Sequence, residues 1–216
     1  GEAPTAYQLG GTTAELKTQR LPDTGYVRLG GGKDVVIFDC GPCGPDDNPG
    51  HAHADFLSIE ASIGGKRFLV DSGVPTYTAG SERDASRSAR AHNGPRLDGA
   101  EPIEFWKSFR VGRRGRAQEI PPDALAGIAP LWCAGHHDGY AHIGIEIRRF
   151  IGLWPGAGML VCDAWIGVLS RPAKTDLLIP DSWFPGDNGN VAFVKEDMRV
   201  NLSVVVGNND GRTLDR

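Results

Sequence analysis

Two histidines lie one residue apart in the segment PGHAHADFLSIEASIGGKRFLVDSG, residues 49–73. Asp55 follows His51 and His53 at the same spacing. If residues 51–60 form a strand, the three side chains share one face, because residues two apart on a strand point the same way. Imidazole and carboxylate groups arranged in this way are a plausible part of a tetrahedral zinc site. The spacing is equally compatible with histidines that only satisfy local hydrogen bonds.

Asp71 and His92 could complete such a site. Asp71 ends the next apolar run, and Gly64 and Gly65 predict a hairpin turn between the two runs, because glycine readily takes a positive φ. Pairing about that turn places Asp71 opposite Ser58 or a near neighbour, so a bulge or a neighbouring strand must bring it to the histidines. His92, in ARAHNG, stands at the start of another strand-like piece.

Three other patterns carry weaker signals. His136 and His137 lie in AGHHDGY beside an Asp-Gly turn, and we expect them in a solvated loop. Cys40 and Cys43 form a single C-x-x-C followed by Gly-Pro-rich sequence, which favours neither a zinc ribbon nor a thioredoxin-like redox site. A cupin, another sandwich with a His-x-His strand, would need a Gly where Pro45 stands and a Glu sooner after the second histidine.

The surrounding sequence predicts an all-β protein. Its 216 residues include 30 Gly and 15 Pro, which favour turns over long helices. Runs such as YVRLGGGKDVVIFD and AHIGIEIRRFIGL alternate apolar and polar residues, as half-buried strands do. LWPGAGMLV predicts a second hairpin, and GSERDASRSARAH alone could be briefly helical. We expect an antiparallel, multi-stranded β-sandwich of the supersandwich type with few short helices.

The composition and the terminal segments of the chain limit its domain organisation and its possible functions. We expect an irregular tail or linker over residues 1–20, a sandwich domain over residues 21–216 and a frayed end in NNDGRTLDR. The first residue is not Met, which suggests a processed or excised chain and leaves a lost signal peptide open. No apolar run is long enough for a membrane span, and the net charge of −4 argues against a nucleic-acid binder.

The string GHAHADFLSIEASIGGKRFLVDSGVPTY, followed by ERDASRSARAHN and LDG, resembles the sandwich domain of the heparinase II/III-like polysaccharide lyases. That domain has an H-x-H-x-D strand, a G-x-x-x-L-x-D-x-G strand and an Arg-rich segment that ends in A-H-N. The downstream HHDGY, EIRRF and GMLVCDAWIG are also similar, so the resemblance covers about residues 25–168. It implies a sandwich fold and activity on an acidic polysaccharide, in the periplasm or outside the cell.

The resemblance also implies roles for single residues. His53, Asp71 and His92 match the family's ligands for one structural metal ion, which is zinc in the members that bind it. His51 matches the catalytic histidine, and Tyr77, which we also expect to be catalytic, matches a tyrosine near the substrate groove. One histidine of the pair would thus hold the metal, and its neighbour would face the substrate.

The implied reaction is β-elimination on a uronic acid, which suits these residue types. A lyase neutralises the carboxylate, removes the proton alpha to it and protonates the departing glycosidic oxygen. A neutral imidazole near its working pKa serves as base or acid, and arginine charge offsets the developing enolate. The expected substrate-binding residues match arginines beside the family's active site: Arg83, Arg87 and Arg90. As surface residues, these arginines could equally form salt bridges.

The sequence also departs from the family pattern. Full-length members place an (α/α) toroid before the sandwich, which normally supplies a tyrosine acid/base and an asparagine or histidine for the carboxylate. No such helical region is present in these 216 residues, so we expect a C-terminal domain that needs a toroid domain or subunit and has little activity alone. Gly94 and Pro95 stand where a β-branched pair is usual, and Pro removes a ladder donor. The alternative is a non-catalytic sandwich that binds glycan or a partner; a cupin-type metalloenzyme is the weakest option.

Overall fold

The computed structural model describes residues 15–121, 129–185, 192–195 and 198–201. The chain divides into two compact units, of which the larger ends at Leu178 and the smaller begins at Ile179. The first strand begins at Lys17, inside the segment predicted to be a tail. The rest of that segment, up to residue 14, and the predicted frayed end NNDGRTLDR lie outside the described residues.

Five antiparallel strands form the first sheet of the larger unit, in sequential order. They are β1 (Lys17–Leu21), β2 (Tyr26–Gly31), β3 (Asp34–Asp39), β4 (Ile59–Ile63) and β5 (Lys66–Leu69). Burial alternates along β3, where Val36 and Phe38 are fully buried and their neighbours are partly exposed. This is the period of two that the sequence predicts, since successive strand residues face opposite sides of a sheet.

The second sheet has four antiparallel strands in the order β12-β11-β10-β9. Its strands are β9 (Ala117–Glu119), β10 (Leu131–His137), β11 (Glu146–Trp154) and β12 (Gly158–Ile166). Two short strand pairs also belong to the larger unit: β6 (Pro95–Leu97) with β13 (Ala173–Thr175), and β7 (Phe105–Lys107) with β8 (Arg110–Val111). The smaller unit contains a three-stranded sheet of β14 (Phe184–Pro185), β15 (Ala192–Lys195) and β16 (Met198–Asn201).

The two large sheets pack against each other across an apolar core. Leu29 of β2, Phe38 of β3 and Ile147 of β11 are each fully buried. Gly135 of β10 lies so close to the first sheet that a Cβ there would be 2.4 Å from Sγ of Cys40 and 3.1 Å from the Phe38 ring. The predicted antiparallel β-sandwich is confirmed.

The predicted turns and the short helix are also present. β4 and β5 join at Gly64 and Gly65, whose φ angles are +59° and +82°, and β11 and β12 join through a turn at residues 155–157. Helix α1 (Ser81–Arg87) is followed by a 3-10 turn at Ala89–Ala91. In the described part of the chain, no helix has the length and hydrophobicity needed to cross a lipid bilayer.

Residues 51–60 do not form a continuous strand, so the condition under which His51, His53 and Asp55 would share one strand face is not met. Pro49–His51 form a 3-10 turn, β4 begins only at Ile59, and Leu57 has a φ of +59°, which interrupts an extended path. The segment between the turn and β4 is therefore a loop. Its two functional candidates, His53 and Asp55, are brought together by the path of that loop rather than by strand alternation.

Candidate metal and active site

An open pocket of about 360 Å³ lies at the loop that carries the paired histidines. Its lining includes three residues of the predicted site, His51, His53 and Tyr77, and also Asp55. His51 is exposed, whereas His53 and Asp55 are half-buried. The pocket thus joins an accessible imidazole to a second imidazole and a carboxylate that are partly withdrawn from solvent.

Three side chains in this region are close enough to hold one metal ion. The ligand atoms of His53, Asp55 and His92 all lie within 4.8 Å of one another. The rings of His53 and His92 have centroids 5.3 Å apart, and His92 is almost completely buried. Two imidazole nitrogens and a carboxylate oxygen are a donor set that suits zinc, with a fourth position left for water or another group.

Asp71 lies behind His92 rather than within this group. Its Oδ2 is 2.6 Å from Nδ1 of His92, and its Oδ1 accepts a hydrogen bond from the Gly73 amide at 2.8 Å. The other ring nitrogen of His92, Nε2, is buried and has no hydrogen-bond partner among the described residues. A carboxylate that fixes one nitrogen of a histidine commonly leaves the other for a metal. The residues therefore fit a divalent metal, with Asp55 in the place that the family resemblance implied for Asp71.

The pKa values of the two imidazoles, His53 and His92, are shifted in opposite directions. Burial is the largest influence on His53 and lowers its pKa, despite the opposing charge of Asp55. Burial acts in the same direction on His92, but the hydrogen bond to Asp71 and the nearby carboxylates outweigh it, so the pKa of His92 is raised. The same bond lowers the pKa of Asp71 although burial opposes this. His53 is thus kept in the neutral form that binds metal, and His92 is held by its carboxylate.

Asn93, which sequence reasoning missed, anchors His92 to the first sheet. Its side-chain amide donates to the carbonyls of Ile59 (2.8 Å) and Val70 (3.0 Å), and its backbone amide donates to the hydroxyl of Ser58 (3.1 Å). Asn93 is completely buried. Because it bonds the start of β4 and the end of β5 together, it brings the Asp71 end of the hairpin to His92. The available signal was its place directly after His92 in the A-H-N motif.

His51 and Tyr77 meet at the mouth of the pocket. Their ring centroids are 5.6 Å apart, and the ring of Phe109 lies 6.1 Å from that of His51. Tyr77 is 63% exposed. The structure therefore brings together the two residues predicted to be catalytic, with an additional aromatic ring beside them.

The three arginines predicted to bind substrate do not behave alike. Arg83 and Arg87 are completely buried in α1, while Arg90 is exposed. Arg83 lies over the rings of Phe109 (4.2 Å) and Tyr77 (5.2 Å). Arg90 is the member of the set placed to reach a ligand in solution.

Tyr26 and Asp39 form a second polar pair in the lining of the same pocket. Burial and the charge of Asp55 raise the pKa of Asp39 to about 7, although hydrogen bonds from Gly41 and Tyr26 oppose the shift. Burial and the charge of Asp39 raise the pKa of the Tyr26 hydroxyl. The pair results from the register of β2 with β3, in which Tyr26 and Asp39 are partners. No local motif marks either residue.

The remaining sequence motifs lie inside the fold. The prediction that His136 and His137 occupy a solvated loop is wrong: both belong to β10, and His137 is buried and stacked on Phe56 at 5.1 Å. Cys40 and Cys43 are free and buried, and burial raises the pKa of each thiol to about 12. Such thiols are poor nucleophiles and poor metal ligands.

The fold and the site together define a β-sandwich domain with a histidine and carboxylate pocket. Residues 13–206 match the family described as heparinase II/III-like, C-terminal, and the chain belongs to that family. The resemblance inferred from the motifs is confirmed, over a longer stretch than the motifs covered. No curated protein sequence matches the chain significantly.

Three solved structures with a similar fold carry the name of a heparan sulfate lyase or of a heparinase III. A heparan sulfate lyase HepC mutant from Pedobacter heparinus superposes with a TM-score of 0.62 at 20% identity, over 83% of this chain and 27% of that one. The heparinase III BT4657 gene product gives 0.61 at 16% identity, over 83% and 26%. A heparinase III gives 0.59 at 19% identity, over 85% and 28%. At these identities the likeness concerns the fold, and this chain spans about a quarter of their length.

Proposed function

We propose that this chain is the metal-bearing sandwich domain of a polysaccharide lyase that cleaves a uronic-acid-containing acidic polysaccharide by β-elimination. The observation that carries the proposal is the exposed ring of His51, beside Tyr77, at a pocket that also contains His53 and Asp55. An accessible imidazole is thereby held next to a set of donor atoms that suits a metal. Membership of the heparinase II/III-like family supports the reaction class.

The proposed metal is zinc, held by His53, Asp55 and Nε2 of His92. Its contribution is a fixed positive charge that stiffens the loop and favours an anionic ligand in the pocket. Asp71 orients His92 through Nδ1. The family resemblance favours Asp71 itself as the carboxylate ligand, and the two assignments make different predictions for single substitutions.

His51 is the residue we propose to move the proton. Its imidazole either removes the proton alpha to the uronate carboxylate or returns a proton to the departing glycosidic oxygen. Tyr77 lies beside it with an exposed phenol that can donate or accept a hydrogen bond at the same sugar. Arg90 is exposed and is the proposed contact for the substrate carboxylate.

A second domain is part of the proposal. An (α/α) toroid, in the same protein or as a subunit, would close the groove over the pocket and contribute the groups that neutralise the uronate. This chain matches about a quarter of the length of the heparan sulfate lyase HepC and heparinase III structures, which is compatible with a second domain. We further propose that the protein works in the periplasm or outside the cell, where such polysaccharides are found.

The first test measures zinc in the purified chain. Elemental analysis should find about one zinc per chain in the wild type and in His51→Ala, and a loss in His53→Ala. With a toroid domain supplied, the wild type should release an unsaturated product that absorbs in the ultraviolet, and His51→Ala should not. Full activity of His51→Ala in that assembly would overturn the catalytic assignment.

The alternative is a non-catalytic module that binds glycan. The exposed rings of Tyr77 and Trp106, each 63% exposed, favour it, because sugar rings stack on accessible aromatic side chains. Glycan binding that persists in His51→Ala, together with no unsaturated product in the presence of a toroid, would favour this module over the lyase.

A further inference from the structure

Helix α1 supplies hydrogen-bond partners to the backbone of the loop that carries His51 and His53. The Gly50 carbonyl accepts a hydrogen bond from Nη2 of Arg83 at 3.3 Å. The Ala52 carbonyl accepts one from Nε of Arg87 at 2.8 Å. These two carbonyls flank His51 directly in the chain.

A third contact continues the same pattern. The Ala54 amide donates to the backbone carbonyl of Arg87 at 2.9 Å. Residues 50, 52 and 54 thus each form a backbone hydrogen bond with a residue of α1. Bonding at every second residue is also the pattern by which a strand bonds to a neighbouring strand. The residues between them are His51 and His53.

Both guanidinium groups also donate hydrogen bonds to the same backbone carbonyl outside the loop. The Ser108 carbonyl accepts from Nε of Arg83 at 3.0 Å and from Nη1 of Arg87. Arg87 stacks on Phe105 at 4.6 Å, as Arg83 does on Phe109 at 4.2 Å. The two arginines therefore connect the histidine loop to the segment around β7 through rigid, packed side chains.

The burial of these cations is costly. Within the described residues neither arginine forms an ion pair with a carboxylate, although the charge of Asp84 favours the charged form of Arg87, and Nη1 of Arg83 and Nη2 of Arg87 have no hydrogen-bond partner. Arg83 and Arg87 are 0% and 1% exposed, and every hydrogen bond the structure gives them goes to a backbone carbonyl. A buried charge needs compensating hydrogen bonds, and an apolar residue of similar volume would fill the same space at lower cost. What arginine adds is a planar fork that can hold two carbonyls at once.

We infer that Arg83 and Arg87 are positioning residues that hold His51 and His53 in place, rather than groups that bind the substrate. The inference rests on the proposed function in so far as it gives the two histidines their roles. The geometry of the loop is a separate observable, so it can be tested even if the catalytic assignment fails.

The test compares Arg83→Met and Arg87→Met with the wild-type chain. Methionine keeps much of the apolar volume but removes the donors, so the domain should remain folded by circular dichroism. Hydrogen exchange of the Ala52 and Ala54 amides, which donate to the carbonyls of Pro49 and Arg87, should become about tenfold faster or more. The arginine side chains that hold the Gly50 and Ala52 carbonyls would no longer oppose opening of the loop, and a hydrogen bond from a charged donor is worth at least that factor. Zinc affinity, measured by competition with a chelator, should fall about tenfold, in the range seen for lost supporting contacts.

Two further variants serve as controls. Leu153→Ala, in β11 of the other sheet, removes a fully buried side chain and lowers global stability without touching the loop. It should leave exchange at 50–54 and zinc affinity close to wild type. Arg87→Lys retains the charge but not the fork, and should fall between wild type and Arg87→Met.

The outcomes separate this inference from the proposed function. Unchanged loop exchange and zinc affinity in both Met variants, or equal changes in Leu153→Ala, would overturn the positioning role. If the wild-type chain binds no zinc, the metal assignment fails, but loop exchange still decides the role of the arginines. A raised KM in the toroid-containing assembly, with unchanged exchange and zinc affinity, would return Arg83 and Arg87 to substrate binding.

Discussion

Asp55 and Asp71 both lie close to His92, but at the scale of single residues they have different tasks. Asp55 has a carboxylate oxygen within 4.8 Å of the ligand atoms of His53 and His92. Asp71 is bonded to the opposite nitrogen of His92, at 2.6 Å. One carboxylate is therefore placed to bind a metal and the other to orient a ligand.

Asparagine at either position tests this difference. Asp71→Asn should weaken zinc binding about 10–100-fold, as expected when a supporting partner of a ligand is lost. Asp55→Asn should weaken it further, because a charged ligand is replaced by a neutral amide. Chelator competition at one fixed pH measures both. The reverse order would make Asp71 the ligand, as the family resemblance implies.

His137 gives the domain a specific acid sensitivity. Burial lowers the pKa of this imidazole to about 3, and its Nδ1 accepts a hydrogen bond from the Gly139 amide at 3.2 Å. In the unfolded chain the ring takes up a proton near pH 6.5. Between these two values the unfolded state binds more protons, so stability rises with pH. The contribution of the neutral ring is complete above about pH 6.5 and is lost as the pH falls toward 3.

Urea unfolding from pH 8 to pH 4 measures this effect. Below pH 6.5, the free energy of unfolding of the wild type should fall by about 1.4 kcal/mol more per pH unit than that of His137→Gln. The glutamine amide can still accept the hydrogen bond from the Gly139 amide but does not titrate. The comparison cancels the carboxylates and other histidines common to both proteins. If the free energies of unfolding of the two proteins changed equally with pH, His137 would not be the group responsible for the acid sensitivity.

At the scale of elements, the contact between β10 and the first sheet depends on one glycine. A Cβ at Gly135 would be 2.4 Å from Sγ of Cys40 and 2.9 Å from Cδ2 of Leu57, and both neighbours are buried. Gly158 in β12 is the matched control, because a Cβ there would meet nothing within 4 Å. The difference reflects where the two sheets touch rather than any strand propensity.

Gly135→Ala should therefore destabilise the domain by about 1–3 kcal/mol, the usual cost of overpacking a core. Gly158→Ala should be neutral or slightly stabilising, because alanine restricts the unfolded chain without a clash. Denaturant unfolding of both variants measures the difference. Equal stability would mean that the sheets separate easily at β10.

At the scale of the whole larger unit, Arg149 joins the second sheet to the functional loop. Its guanidinium forms a two-pronged ion pair with Asp163, at 2.7 and 2.8 Å, and both side chains are nearly or completely buried. It also donates to the carbonyls of Leu57 and Asn93. The residues that follow Asp55 and His92 are thus held by a single cation from β11.

Removal of one partner of this pair should be costly. Asp163→Ala leaves a buried arginine without its carboxylate and should lower the free energy of unfolding by about 3–5 kcal/mol. The control is Glu146→Gln in β11, the strand of Arg149, which breaks the exposed pair with Arg148 and should cost about 1 kcal/mol or less. Chemical denaturation of the two variants and the wild type provides the comparison. A loss in Asp163→Ala no larger than the control would mean that water replaces the carboxylate.

The sequence by itself determined the features that depend on local chemistry. Alternation of apolar residues predicted the strands, Gly64 and Gly65 predicted a hairpin through their positive φ, and the Ser81–Arg87 stretch was the one candidate for a helix. The H-x-H-x-D and G-x-x-x-L-x-D-x-G motifs, combined with the Arg-rich segment that ends in A-H-N and with the downstream strands, pointed to the family that the comparison confirms. Each of these signals spans only a few neighbouring residues, which is why it can be recognised without a fold.

Tertiary structure decided which of the marked residues share a site and in what role. Asp55 approaches His53 and His92 because the loop leaves the strand path that period-two spacing assumes. Arg83 and Arg87 are buried because α1 packs against that loop, although their sequence is typical of a solvated helix. Such outcomes depend on contacts between residues 20 to 92 positions apart, such as Arg87 with Ala52 and Arg149 with Leu57. No local pattern encodes which distant segment will supply the partner.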